Sequence, residues 1–286
     1  MFAVRNVAVL GAGKIGSIIV QALAEKLEGV KVIATGRSLE TLKKVESLGA
    51  IATRENRKAV LESDLIVISV KPYHFSQLLK ETGFDVWKGK LVVSVMAGVT
   101  LSTLQRVLEG AEVYRAMPNL NAFVGKSATA IAENGVGYRK DIVDAIFKLL
   151  GTTYWVPEEY LDVWTGLAGS GPAFLAEIVD ALAMGAVASG LNRELAYKAI
   201  LDVLEGTALL LKTRENIHPA QLRDEVATPA GTTIRGLMVL ESRGVKAALM
   251  ELVEQASQRS KEIGSEVNSK VSRELAILIE QNKKKI

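Results

Sequence analysis

The chain has 286 residues, of which 49% are hydrophobic and 23% charged, proportions typical of a globular protein in water. The net charge of +3 is small and scattered, which argues against a nucleic-acid or a membrane partner. The absence of cysteine excludes disulfides and thiol catalysis, and the two histidines, His74 and His218, are too far apart in sequence to suggest a metal site. We therefore expect a cytoplasmic protein that binds no metal.

Two apolar stretches bear on membrane insertion and secretion. The N-terminal run Val7–Leu10 is too short for a secretory signal and leads directly into glycines. The stretch from Tyr160 to Leu191 is long, but it contains acidic residues and is interrupted by Pro172. It is better interpreted as a soluble helix that is buried on nearly all sides.

A dinucleotide-binding pattern opens the chain. Asn6 to Leu10 is typical of a buried strand, a glycine-rich GxGxxG turn follows, and a helix then leads to a second strand, Val30 to Thr35. In such a turn one glycine makes the bend, one admits the pyrophosphate, and one lets the helix pack on the strand. The pattern predicts cofactor contacts at Gly11, Gly13, Lys14, Ile15 and Gly16.

The end of the second strand indicates which cofactor is preferred. Sites for NAD usually carry an acid there to bind the ribose hydroxyls, but this chain has Thr35-Gly36-Arg37-Ser38. An arginine and a hydroxyl suit a 2′-phosphate by charge and by geometry. We therefore predict a preference for NADPH, with NADH possible, and the alternative for Arg37 is a solvated surface charge.

Further strands predict where the nicotinamide lies. Apolar runs from Leu65 to Val70 and from Leu91 to Met96 end in Lys71-Pro72 and Ala97-Gly98, and a third ends in Met117-Pro118-Asn119. Ligands of such sheets lie beyond the carboxyl ends of the strands, so these loops are candidate walls of the pocket. For Lys71 and Asn119, ordinary turn chemistry is the alternative.

The composition shifts near Pro157, after which almost every segment is typical of helix. Ala173 to Ser189 is apolar on all faces and rich in small residues, which indicates a subunit interface. A helix is predicted from Val245 to Ile263, and the tail from Ser265 carries Val267, Val271, Leu275 and Leu278 on one stripe, as in a docked terminal helix. We predict two domains, residues 1–157 and 158–286.

The stretch from Asp224 to Leu240 predicts an anion site. Pro229 ends one helix, Thr228 offers a capping hydroxyl, and the next helix exposes the N–H groups of Gly231, Thr232 and Thr233. Unpaired N–H donors at the positive end of a helix dipole bind anions. Local chemistry alone leaves a plain capped helix start as the alternative.

Four motifs together resemble the pyrroline-5-carboxylate reductase family, which catalyses the last step of proline synthesis. They are Val9-Leu10-Gly11-Ala12-Gly13-Lys14-Ile15-Gly16, Val70-Lys71-Pro72, Leu167 to Phe174 and Asp224 to Ile234, and the similarity spans about residues 5 to 263. Arg115-Ala116-Met117-Pro118-Asn119 also matches, but Leu120-Asn121 stands where the family commonly has Thr-Pro.

The resemblance implies an α/β N-terminal Rossmann-type dinucleotide-binding domain followed by an all-α dimerisation domain. It implies reduction of 1-pyrroline-5-carboxylate to L-proline with NAD(P)H, by a dimer or by a larger ring such as a decamer of five dimers. It places the substrate carboxylate on Thr228, Gly231, Thr232 and Thr233, and the catalytic hydroxyl of Thr233 at the ring nitrogen. Arg37 and Asn56 would lie near the 2′-phosphate, and Val70, Lys71, Pro72 and Ala97 on the nicotinamide side.

Other functions remain as alternatives. β-Hydroxyacid dehydrogenases need a lysine shortly after the second-domain GxG, but Leu175 stands there in this chain. A deazaflavin-linked NADP reductase and a reductase of a related cyclic imine are harder to separate from the sequence. A non-catalytic nucleotide-sensing module would keep the glycines but would not need the residues from Thr228 to Thr233.

Overall fold

The computed structural model describes residues 4–133, 137–214 and 217–283. These residues form two compact units, one of residues 1–170 with 254–286 and one of residues 171–253. Residues 254–286 are grouped with the N-terminal residues, and the domain boundary at Pro157 stays a prediction. The family-implied class, an α/β domain followed by helices, is confirmed.

The first unit is built on an eight-stranded sheet with the order β3-β2-β1-β4-β5-β6-β7-β8. The first six strands are parallel, β7 is antiparallel to β6, and β8 is parallel to β7. The chain reverses its direction of winding between β1 and β4, which is where doubly wound sheets bind their ligands. The strands are β1 Asn6–Leu10, β2 Lys31–Thr35, β3 Ile51–Thr53, β4 Leu65–Ile68, β5 Leu91–Ser94, β6 Glu112–Met117, β7 Ser127–Ala132 and β8 Gly151–Val156.

Helices connect and follow these strands. Shorter turns are a 3-10 helix at Pro72–His74, another at Leu120–Val124 and a π-helical turn at Thr165–Gly169. The α-helices are α1 Lys14–Lys26, α2 Leu39–Ser47, α3 Asn56–Leu61, α4 Phe75–Thr82, α5 Leu101–Val107, α6 Lys140–Lys148, α7 Tyr160–Trp164, α8 Gly171–Ala188, α9 Arg193–Thr213, α10 Pro219–Val226, α11 Thr232–Ser242 and α12 Val245–Lys283.

Both faces of the sheet are buried, as in parallel sheets generally. On β1, Val7 and Val9 belong to one apolar cluster, whereas Ala8 and Leu10 belong to the cluster on the opposite face. The strands are therefore continuous apolar runs, which is why the sequence predicts them well. Burying these side chains, at about 1.5–3 kcal/mol each, is the main stabilisation of this unit.

The C-terminal segment packs on the sheet unit. The sequence predicts one helix ending at Ile263 and a separate tail. In the structure, α12 runs through Gly264 without a break and is 39 residues long in total. Val267 and Val271 are buried in the same cluster as Val99 and Leu101, so the predicted docked terminal helix is confirmed at these two positions. Leu275 and Leu278 lie outside the side chains that the structure describes.

The second unit buries little within one chain. Among its described residues, Ala183 and Ala196 are the buried apolar ones, whereas Leu182 and Met184 on α8 are 53% and 40% exposed. The single chain therefore does not bury the stretch from Tyr160 to Leu191 on nearly all sides, and its burial at a subunit interface stays a prediction. By length and composition alone, Tyr160–Ala188 would suffice to cross a membrane, which is weak evidence because the core helix of a soluble protein passes the same test.

Candidate functional site

The glycine-rich turn after β1 has the geometry of a pyrophosphate site. Gly11 has a φ of +92°, a left-handed conformation suited to glycine, and its N–H donates to Thr35 Oγ1 at 3.0 Å. A Cβ on Gly16 would lie 2.2 Å from the Gly11 carbonyl oxygen, so only glycine lets α1 approach the turn this closely.

Gly13 differs from its neighbours. A Cβ on Gly13 would meet no atom within 4 Å, and its φ of −71° suits any residue, so the fold itself does not require glycine there. Gly13 is the N-cap of α1, and the first N–H groups of a helix have no intrahelical acceptor. The open space above Gly13 therefore leaves Lys14 and Ile15 N–H groups accessible to a phosphate.

The loop after β2 carries the positive charge predicted for the 2′-phosphate. Arg37 is exposed, and its Nη2 donates to His74 Nε2 at 3.0 Å. Ser38 is the N-cap of α2, and its Oγ accepts from the Thr41 N–H at 3.1 Å. The sequence contains no signal for the Arg37–His74 contact, because Arg37 lies in the loop after β2 and His74 in the 3-10 helix after β4.

His74 is held in its neutral form by its surroundings. Partial desolvation lowers its pKa, and the positive charges of Arg37 and Lys270 lower it further. A neutral ring accepts a hydrogen bond from Arg37 through Nε2 and keeps its proton on Nδ1. The neutral imidazole therefore orients the guanidinium and adds no second positive charge beside it.

The side chain of Asn56 is hydrogen-bonded to another side chain. Its Nδ2 donates to Glu81 Oε2 at 2.5 Å, while its buried Oδ1 has no partner among the described residues. Asn56 begins α3, which follows the short strand β3 beside β2. Its predicted place near the 2′-phosphate stays a prediction.

The loops after β4 and β5 lie next to the glycine turn in the sheet order. Val70 approaches Gly11 closely, since a Cβ on Gly11 would lie 2.7 Å from Val70 Cγ1. Lys71 is exposed, Pro72 begins the 3-10 helix, and Ala97 is half-buried. Asn119, in contrast, accepts from the Asn121 N–H, which is ordinary turn chemistry, and its Nδ2 donates to the carbonyl of Ala168, 49 residues further along the chain.

In the second unit, residues 228–231 form a tight turn that leads into α11. The Gly231 N–H donates to the Thr228 carbonyl at 3.1 Å, with Pro229 and Ala230 between them. Ala230 has a φ of +57° and is the one non-glycine residue with positive φ among those described. Backbone strain of this kind costs about 1–3 kcal/mol and is concentrated at functional sites.

The turn changes two details of the predicted anion site. Gly231, not Thr228, is the N-cap of α11, and it makes no side-chain cap bond. The predicted use of the Gly231 N–H for a ligand conflicts with its hydrogen bond to Thr228. Among the described residues, the N–H groups of Thr232 and Thr233 donate to no loop or side-chain acceptor. These two remain the donors with which this helix start can bind an anion.

The described titratable groups near these loops offer no metal site. Among the described residues, no cluster of three or more His, Asp or Glu side chains could hold a metal ion. The candidate site residues are mainly glycines, hydroxyls and backbone N–H groups, together with Arg37 and two lysines, Lys14 and Lys71. Such groups bind and orient anions and leave the redox chemistry to a cofactor.

Comparisons with known proteins point to one family over about nine-tenths of the chain. The family model described as pyrroline-5-carboxylate reductase dimerisation matches residues 158–263, and the model described as NADP oxidoreductase, coenzyme F420-dependent, matches residues 6–98. The pyrroline-5-carboxylate reductase of Methanosarcina acetivorans is 38% identical over 91% of this chain and 98% of that protein. The Thermus thermophilus enzyme of the same name is also 38% identical, with the same coverage.

Solved structures show the same similarity. The Plasmodium falciparum pyrroline carboxylate reductase with NADP bound has a TM-score of 0.82 and 25% identity, covering 92% of this chain and 99% of that one. The Streptococcus pyogenes 1-pyrroline-5-carboxylate reductase has a TM-score of 0.81 and 28% identity, covering 90% and 98%. The deazaflavin-linked alternative is matched over residues 6–98, whereas these relatives are similar along nearly the full chain.

Proposed function

This chain belongs to the pyrroline-5-carboxylate reductase family, and we propose how its residues carry out the family's reaction. The chain reduces 1-pyrroline-5-carboxylate to L-proline, with NADPH as the hydride donor. The observation that carries the assignment of substrate residues is the start of α11, where the Thr232 and Thr233 N–H groups lie free behind a strained turn at Ala230.

The reaction places modest demands on the protein. A cyclic imine protonates more readily than a carbonyl, and the iminium is already a good hydride acceptor. NADPH supplies the hydride when bound, and the protein binds and orients the two reactants. This explains why a site without an acid–base dyad is sufficient.

Thr232 and Thr233 bind the substrate carboxylate through their N–H groups, at the positive end of the α11 dipole. Gly231 lacks a side chain where a Cβ would lie 2.3 Å from Thr228 Oγ1, so it keeps the turn closed. The Thr228 hydroxyl does not cap α11, so it is available as a further hydrogen-bond donor to the carboxylate. The Thr233 hydroxyl hydrogen-bonds the ring nitrogen.

The cofactor is bound by the sheet unit. The pyrophosphate lies on the N–H groups after Gly13, and Arg37 binds the 2′-phosphate with its guanidinium oriented by His74. Val70, Lys71, Pro72 and Ala97 border the nicotinamide. The absence of an acidic residue at the end of β2 supports the preference for NADPH.

The protein is a homo-oligomer that acts on a small-molecule substrate. The exposed apolar side chains of α8 support a dimer in which they are buried between subunits. We further propose that five dimers form a ring and that the protein is cytoplasmic. Sedimentation of the purified protein distinguishes the dimer from the ring.

Thr233→Val tests the catalytic assignment, because valine keeps the shape and removes the hydroxyl. Loss of a hydrogen bond to a developing charge costs about 1.5–3 kcal/mol, which lowers kcat/KM by roughly ten- to a hundredfold. Ser242→Ala, which removes a hydroxyl at the other end of α11, is the matched control. Full kcat/KM in Thr233→Val would leave the residue without a catalytic role.

A further inference from the structure

The middle of α12, at Gly264 and Asn268, contacts the loop that follows β5. The family model ends at residue 263, but α12 continues beyond it and carries Asn268 to this loop. Asn268 Nδ2 donates to the Gly98 carbonyl at 3.0 Å, and Asn268 Oδ1 accepts from the Thr100 N–H at 3.3 Å. One amide side chain thus binds the backbone on both sides of Val99.

A backbone contact reinforces this arrangement. Gly98 has a φ of +73°, and a Cβ on it would lie 2.5 Å from the Gly264 Cα. A Cβ on Gly264 would lie 2.4 Å from the Gly98 carbonyl oxygen. Because neither position has room for a side chain, helix and loop meet backbone to backbone.

Apolar packing and a second polar contact fix the far side of the loop. Val267 packs in the same buried cluster as Val99, which is fully buried. The Leu101 N–H donates to Glu158 Oε1 at 2.6 Å, so the start of α5 also has a polar contact outside α12. The segment whose position depends on Asn268 is therefore Ala97 to Thr100.

We propose that Asn268 is a positioning residue for the nicotinamide ring, acting through Gly98 on the adjacent Ala97. This inference rests on the proposed function, in which Ala97 borders the nicotinamide. Asn268 fixes the carbonyl of Gly98 and thereby the direction in which the backbone of Ala97 faces the cofactor. A loop without this anchor binds NADPH less tightly and presents C4 of the ring less accurately to the imine carbon.

Two substitutions test the proposal. Asn268→Leu removes both hydrogen bonds while keeping a similar volume, and Asn268→Asp keeps the acceptor for Thr100 but places a carboxylate oxygen opposite the Gly98 carbonyl. Ser272→Ala, one turn further along α12, is the control, because Ser272 Oγ contacts Arg106 on α5 and the backbone carbonyl of Asn268 in its own helix, but neither the Asn268 amide nor the loop.

The readouts are the Kd for NADPH, from cofactor fluorescence without substrate, and the isotope effect on kcat with NADPH deuterated at both C4 positions. For Asn268→Leu we expect a Kd about three- to tenfold higher and a larger isotope effect, because hydride transfer becomes slower relative to product release. Ser272→Ala should match the wild type in both. A merely structural role would reduce the fraction of active enzyme and leave Kd and isotope effect unchanged.

Wild-type values of both quantities in folded Asn268→Leu would overturn the proposal. If that variant does not fold, Asn268→Asp decides by the same criteria, and failure of both to fold would also overturn it by making Asn268 a folding residue. If the wild-type enzyme binds NADPH but does not reduce 1-pyrroline-5-carboxylate, the proposed function fails, while the Kd comparison still tests the role of Asn268.

Discussion

Two glycines of the same turn should respond in opposite ways to one added methyl group. In Gly13→Ala the new Cβ meets no protein atom, whereas in Gly16→Ala it would lie 2.2 Å from the Gly11 carbonyl oxygen. The first change therefore affects the space into which the pyrophosphate fits. The second changes the packing of α1 on the turn itself.

The magnitudes follow from these distances. Gly13→Ala gains about 0.4–1 kcal/mol from the stiffer unfolded chain. It loses a similar amount because alanine is a poor N-cap, so we expect a net change near zero. Gly16→Ala forces the backbone apart and should cost about 1–3 kcal/mol, as overpacking does in other cores. If the methyl of Gly13→Ala displaces the pyrophosphate from one charge-assisted hydrogen bond, about 1.5–3 kcal/mol of NADPH binding is lost, or roughly ten- to a hundredfold in Kd.

Urea unfolding without cofactor, at one fixed protein concentration because the protein is oligomeric, separates the two effects. We expect Gly13→Ala to unfold at the wild-type midpoint and to bind NADPH weakly, and Gly16→Ala to unfold at lower urea. Unchanged NADPH affinity in Gly13→Ala would refute the assignment of the pyrophosphate to this turn.

Three further outcomes follow from the structure. Arg37→Ala should raise the KM for NADPH about tenfold or more and leave that for NADH nearly unchanged, and an equal effect on both would disprove the 2′-phosphate assignment. Leu182→Glu, at an exposed apolar position of α8, should dissociate the oligomer in sedimentation, and an intact oligomer would contradict burial of this face. The hydrogen bond from Arg57 lowers the pKa of Asp85 from 3.8 to about 2. The native state then binds fewer protons than the unfolded state, so the stabilisation is present above about pH 4 and is lost as the pH falls towards 2. Asp85→Asn should therefore lose stability less steeply than the wild type in this pH range. Parallel acid profiles would show that the pair does not contribute.

The sequence predicts the sheet because its strands are buried on both faces and therefore form apolar runs. The predicted run from Leu65 to Val70 ends in the structure at Ile68, where Ser69 and Val70 turn past Gly11. Hydrophobicity does not distinguish a strand residue from a buried loop residue beyond it. The boundaries are thus less accurate than the elements themselves.

Contacts between distant segments could not be predicted in this way. The Arg37–His74 hydrogen bond joins the loop after β2 to the 3-10 helix after β4, and the Asn268 amide crosses from α12 to the loop after β5. Periodicity indicates which face of a helix is apolar, but it does not indicate which partner covers that face. The left-handed conformation of Ala230 could not be predicted either, because glycine is the residue that usually adopts it.

Turnover of 1-pyrroline-5-carboxylate tests the central claim most directly. Purified protein, NADPH and the imine are incubated together, NADPH oxidation is followed by absorbance, and the product is identified by chiral chromatography. We predict one L-proline formed for each NADPH oxidised, with a higher kcat/KM for NADPH than for NADH. NADPH binding without proline formation would contradict the account, because the chain would then retain the cofactor site without the chemistry assigned to Thr233.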